Sequence, residues 1–212
     1  MKKIYSLLIF LGVSFIIYPF LQEKYYDWQQ VKVMDDLEML QSDLTKVNHT
    51  FEKANQNPIS MESEIEDADV QQDVSPGAVG IIEIDKIDIR LPILEDATAD
   101  NMKVTAAHLV ETSPIGEEGN AAIAAHRAHK KGRLFNRLGE LEIGDQIEVT
   151  LTDQSKTVYV VDKISVVEPT DLSVLEDPHL GKVLTLITCD PLINPTHRLI
   201  VRAVIDKENT KV

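Results

Sequence analysis

The sequence predicts an all-β domain with a few short helices, either a sandwich or a closed barrel, preceded by an N-terminal transmembrane helix and a partly helical stalk. Three observations carry this prediction. Beyond Val79, short runs rich in Ile, Val and Thr recur, bounded by Gly, Pro and Asp, which is the texture of many short strands joined by turns. Residues 22–55 contain neither Gly nor Pro, and residues 4–21 contain no charged side chain.

The apolar run comes first. Lys2 and Lys3 precede IYSLLIFLGVSFIIYPFL, which at about 1.5 Å rise per residue nearly spans a hydrocarbon core of roughly 30 Å. Tyr25, Tyr26 and Trp28 follow, where amphipathic rings favour the headgroup layer. Two lysines on the cytoplasmic side place the rest of the chain outside the cell. A cleaved leader would need a small-x-small site, and Leu21-Gln22-Glu23-Lys24 offers none. The expectation is an uncleaved single-pass anchor over residues 1–21, bent or ended by Pro19, with an extracellular domain.

Residues 22–76 are read as stalk and linker. Val31, Met34, Leu37, Leu40, Leu44 and Val47 recur at near-helical spacing. The polar face dominates, which suits a partly helical spacer, although the stripe can also pair with a neighbour or fold back on the domain. From residue 57 the chain turns acidic and polar, with Pro58 and Pro76 as breakers, and reads as a linker.

The domain is placed at 77–207, with a charged tail at 208–212. Runs 79–84 and 87–93 are Ile-rich strands. Run 121–125 suits a short buried strand, and 146–152 and 157–167 suit a pair turning at Asp153-Gln154. Runs 183–188 and 199–205 complete the set. Short helices are expected near 100–108 and 133–138.

Composition bounds the function. The chain has 212 residues, 43% of them hydrophobic, and a formal net charge of -14, enough for one core-bearing domain plus appendages. That acidity speaks against nucleic acid as a partner, because phosphate contacts need clustered Lys and Arg. The one cysteine, Cys189, cannot form an internal disulfide. In an exported domain an unpaired cysteine invites a reactive role; a small buried hydrophobe is the other reading.

Cys189 closes the run TLIT and is followed by Asp190-Pro191, which ends the strand at a loop. Its thiolate needs a base or a cationic partner. His126 follows the run AAIAA at another strand exit, so the two strand ends can meet. His129 lies in a polar stretch, His49 in the stalk, and His108, His179 and His197 in loops or at edges, where a structural role is the default. Arg198 opens the last apolar run and can serve a developing oxyanion, with Arg202, of the same strand parity, as its competitor. No paired-histidine helix, C-x-x-C or glycine-rich phosphate loop is present, so neither metal nor cofactor is expected.

These pieces together resemble the sortase family. TLITC ending at Cys189, followed by R-x-x-V from Arg198, is the specific part. GIIEIDKIDIRLPI, TSPIGEEGN and AAHRAHKKGRLFNRL stand in the expected order around it, and the resemblance runs from Val79 to Ile205. It implies a closed eight-stranded β-barrel. It also implies Cys189 as nucleophile, His126 as its imidazole partner and proton donor, and Arg198 as holder of the carbonyl oxygen. The implied substrates are surface proteins with a C-terminal LPxTG-like sorting motif, and the implied acceptor is an amine of a peptidoglycan precursor. Thr188 and Ala125, beside the two catalytic positions, and Pro169 and Leu172, in the connection 168–180, are the implied substrate-binding residues. The HRAHKKGRLFNRL stretch and the TCDP turn are most like class D, with class A the runner-up. Ala125 stands where the family usually has glycine. The rival readings are a cysteine peptidase that only hydrolyses such motifs, and a tethered β-barrel binding module with a buried thiol.

Overall fold

The computed structural model describes residues 2–56, 77–128, 130 and 132–206; within the first helix, side chains are described at residues 5 and 10–39. The linker predicted at 57–76, the tail at 208–212, His129 and the side chain of His49 lie outside the described residues.

Eight strands close into a barrel in the order β1-β2-β3-β4-β7-β8-β6-β5, which settles the choice left open between sandwich and barrel. They are β1 (Ala78–Ile84), β2 (Ile89–Glu95), β3 (Ala106–His108), β4 (Gly119–Ala124), β5 (Gln146–Leu151), β6 (Lys156–Val167), β7 (Lys182–Asp190) and β8 (His197–Ile205). Pairs β2–β3 and β4–β7 are parallel; the other neighbours are antiparallel, and β1 with β5 completes the closure. Closure removes every free sheet edge.

Side-chain alternation fills the interior. On β4, Ala121 and Ile123 point inward; on β7, Leu184 and Leu186; on β8, Leu199, Val201 and Ala203. The intervening residues of these strands therefore face outward. Phe135, Leu138 and Tyr159 are fully buried and plug the core. Burial pushes the Tyr159 phenol up to about 12, against the opposing effect of the Gly116 N–H that donates to it at 3.1 Å. Gly80 is dictated by crowding: a Cβ there would stand 2.3 Å from Thr150 O on the neighbouring strand.

The sequence reading missed β3. Its Ala106–His108 fell inside the helix expected at 100–108, whereas the helix, α2, stops at Asn101–Val104 and the chain then pairs with β2 and β4. Three residues are too few for a periodic signal. The helix expected at 133–138 is a series of turns leading into a 3₁₀ turn at Leu138–Glu140.

The N-terminal segment differs more. One helix, α1, runs from Lys2 to Gln56 and continues through Pro19. It is not a free spacer. Val33 and Leu37 are buried against Ile81 of β1 and Leu94 of β2, and Glu38 accepts from Arg90 at 2.7 Å. The stripe takes the fold-back option because β1 and β2 offer it apolar outer positions. Among the described residues, no helix is long and apolar enough to cross a membrane; the side chains of residues 6–9, within the apolar run, lie outside the described set.

Candidate active site

The outer face of β4, β7 and β8 gathers the three predicted chemical groups. On β7 and β8, Cys189 and Arg198 are direct cross-strand partners, and Arg198 shares the outward parity of Ile200 and Arg202. Such partners have Cβ atoms about 5 Å apart. On the other side, β4 runs parallel to β7 with Ala124 opposite Ile187, and Ala125 N–H donates to Ile187 O at 3.2 Å. His126 follows one residue later, just past the end of β4, at the same end of the sheet as Cys189. The small residues Ala122 and Ala124 leave the floor between them low.

His126 is exposed at its surface, with part of its ring sheltered by its neighbours. Its pKa is lowered first by burial and then by the positive charges of Lys103 and Arg133. Its backbone is fixed by Phe135, whose N–H donates to His126 O at 3.1 Å. Cys189 is a free thiol, partly exposed. Among the described residues, no hydrogen bond joins the thiol to the imidazole.

The two arginines separate clearly. Arg202 makes a double contact with Asp162, at 3.0 Å from Nε and 2.5 Å from Nη2. Arg198 has no carboxylate partner among the described residues and donates only to His197 O, at 3.1 Å. Its guanidinium therefore remains available to a substrate oxygen.

Two residues that sequence reasoning passed over tie the site together. Arg127, next to His126, is ion-paired with Asp190, next to Cys189, and its Nη1 also lies 3.4 Å from Cys189 O. The pair links the two loops that follow the histidine and cysteine strands. Opposite charges following each catalytic candidate, HR and CD, were the available signal.

The four substrate-binding expectations fare unevenly. Thr188 and Ala125 do not present side chains to the outer face. Ala125 belongs to the core, and Thr188, 2% exposed, donates to Ala125 O at 2.9 Å. Strand alternation puts every neighbour of an outward residue inward, so adjacency to Cys189 and His126 placed both on the wrong side. Thr188→Val is accordingly expected to cost about 1–2 kcal/mol of stability in a denaturant titration, with KM for substrate unchanged.

Pro169 and Leu172 lie in the connection between β6 and β7, as expected, but both are exposed. A cavity of about 110 Å³ opens instead beneath the next turn of that connection, lined by Ser173, Val174, Pro178, Asn120, Thr185 and Ile200 among others. Asn120 holds this roof down. Its Nδ2 donates to Val174 O at 3.0 Å and Glu176 O at 3.2 Å, and its Oδ1 accepts from Thr185 at 2.7 Å. A polar residue within the otherwise apolar GNAAIA was the signal for it.

Comparison with known proteins decides the family. The sortase domain model matches residues 82–206. The chain belongs to the sortase family. It is 34% identical over 114 residues to sortase D of Bacillus subtilis, covering 54% of this chain and 55% of that one. To sortase A of Bacillus anthracis it is 34% identical over 123 residues, covering 58% and 57%. This sortase thus spans about half the length of the curated relatives it matches. Among solved structures, sortase C1 of Streptococcus agalactiae superposes with a TM-score of 0.57 at 32% identity, covering 62% of this chain and 68% of that one. Relatives bearing the letters A, C and D stand at similar distance, so class D is not singled out.

Proposed function

We propose that this sortase is a membrane-anchored cysteine transpeptidase in which Cys189 is the nucleophile, His126 the proton carrier and Arg198 the carbonyl-oxygen ligand. One observation carries the reading: Cys189 and Arg198 are paired across β7 and β8, with the β4 exit that bears His126 alongside on the same face. Sequence-distant Cys, His and Arg gathered on one outer face form a nucleophile, an acid–base and a charge stabiliser.

The substrate is a surface protein with a C-terminal LPxTG-like motif, laid along the outer face beneath the connection 168–181. The Cys189 thiolate attacks the threonine carbonyl carbon, and the C–S bond forms as the carbonyl pair moves onto oxygen facing Arg198. The C–N bond then breaks, and the leaving amine takes a proton from the His126 imidazolium. An amine of a peptidoglycan precursor attacks the thioester and gives a proton to His126, and the thiolate departs. The anchor reading is supported by Phe10, Phe15, Ile16, Tyr18, Phe20 and Leu21, all of them exposed on α1, since large apolar groups left uncovered call for a non-aqueous neighbour.

The depressed His126 pKa has a measurable consequence. Burial and the Lys103 and Arg133 charges all disfavour the imidazolium, so the limb of the kcat/KM–pH profile that reports His126 lies below the ordinary value of about 6.5. Removing one positive charge restores imidazolium stability. Lys103→Gln is expected to move that limb to higher pH; a limb that stays in place would separate it from His126.

The decisive experiment incubates the protein with a quenched LPxTG-type or LPxTA-type peptide, with and without an amine acceptor, and reads products by mass spectrometry. A new amide between the N-terminal fragment and the acceptor is the expected product. Hydrolysis that no acceptor diverts would make the chain a peptidase, and an untouched peptide with a thiol that resists alkylation until unfolding would make it a binding module.

A further inference from the structure

Helix α1 touches more than the barrel wall. Asp27 accepts from Lys130 Nζ at 2.7 Å, and its other carboxylate oxygen lies 3.6 Å from Arg133 Nε. The Arg133 side chain is only 12% exposed, and its Nε has no hydrogen-bond partner. Its guanidinium stands 5.4 Å from the centre of the Tyr26 ring, and Nη2 donates to Lys103 O at 3.0 Å. Asp27 is thus the carboxylate that the sheltered part of Arg133 faces. A largely buried cation deprived of its counter-charge must move towards water or rearrange what surrounds it.

Such movement has a short path to the chemistry. Arg133 N–H donates to Lys130 O at 3.3 Å, which closes the turn, and Phe135, two residues on, holds His126 O through its own N–H at 3.1 Å. Arg127 and Leu134 form a β-bridge across the same turn. The turn that Asp27 grips is therefore the one from which the His126 peptide hangs.

We propose that Asp27, on α1, is a positioning residue for His126, and that α1 is thereby a working part of the catalytic domain and not merely its tether. This rests on the reading of His126 as the proton carrier. The docking of α1 has independent support from Val33 and Leu37 against Ile81 and Leu94, so loss of the Asp27 carboxylate leaves the helix seated.

The test uses the full chain in detergent micelles with the sorting-motif peptide described above. Asp27→Ala is expected to lower kcat about tenfold, as a displaced proton carrier does, with KM and melting temperature little changed. Asp27→Glu is expected to recover most of that rate. An unchanged kcat in Asp27→Ala would overturn the proposal, as would a loss that follows KM or melting temperature, or one that glutamate does not repair. A second measurement needs no turnover: the His126 Cε1–H resonance is expected to shift in Asp27→Ala and to return in Asp27→Glu, and an unmoved resonance also refutes positioning. Cleavage that survives both Cys189→Ala and His126→Ala would instead remove the premise, which marks that failure as one of the proposed chemistry.

Discussion

Cys189→Ala is expected to lower peptide cleavage and amide exchange by on the order of 10⁴-fold or more, because the covalent route proposed above loses its nucleophile. The fold should tolerate the change. Cys189 is partly exposed on the outer face of β7, outside the buried core, so the substitution leaves no internal cavity. The measurement pairs single-turnover cleavage with a thermal melt: activity disappears while the melting temperature stays within about 2 °C of the parent. A variant that melts normally and still turns over would remove Cys189 from the mechanism.

Arg198→Lys is expected to lower kcat about 100-fold, the scale seen when one donor to a developing oxyanion is lost. The charge is conserved in this change, so the loss measures geometry. A guanidinium presents several N–H donors in a fixed plane, whereas an ammonium is a flexible point charge that cannot reproduce the fork. Arg202 is the internal control. It lies on the same face of β8, but its guanidinium is committed to Asp162, so Arg202→Lys should cost less than about 1 kcal/mol of stability and leave kcat nearly unchanged. Equal losses in the two variants would dissolve the distinction drawn between them.

The strands were legible where composition changed sharply. Runs such as IIEI and TLIT are too β-branched for helix and too short for anything but strand; six of the eight strands follow that signal, and β4 is read from the plain apolar run AAIAA. β3 escaped because AAH carries no β-branched residue and its pairing is entirely tertiary. The docking of α1 escaped for a related reason. Met34 and Leu37 belong to the stripe read from the sequence, yet only Ile81 and Leu94 show what it meets, and Val33, outside that stripe, is buried there too.

The candidate site was legible at the level of strand ends and illegible at the level of faces. Cys189, His126 and Arg198 were singled out because chemistry-bearing residues stand where apolar runs stop. Thr188 and Ala125 turn their side chains inward because neighbours in a strand point in opposite directions. Arg127 and Asp190 were passed over because the charge that follows each candidate residue does not by itself say that two side chains 63 positions apart meet. Ser173, Val174 and Pro178 lie in an irregular connection, where composition says nothing about which residue turns towards the barrel.

The direct pairing of Cys189 with Arg198 also constrains how such a protein can change over generations. One residue inserted within β7 or β8 would rotate everything beyond it by half a turn and send one of the two groups into the core. Insertions in the segment 191–196 that joins the strands leave the pairing untouched. Length variation among descendants of this gene should accordingly collect in that segment and in 168–181, while the Cys189–Arg198 pairing is inherited unaltered.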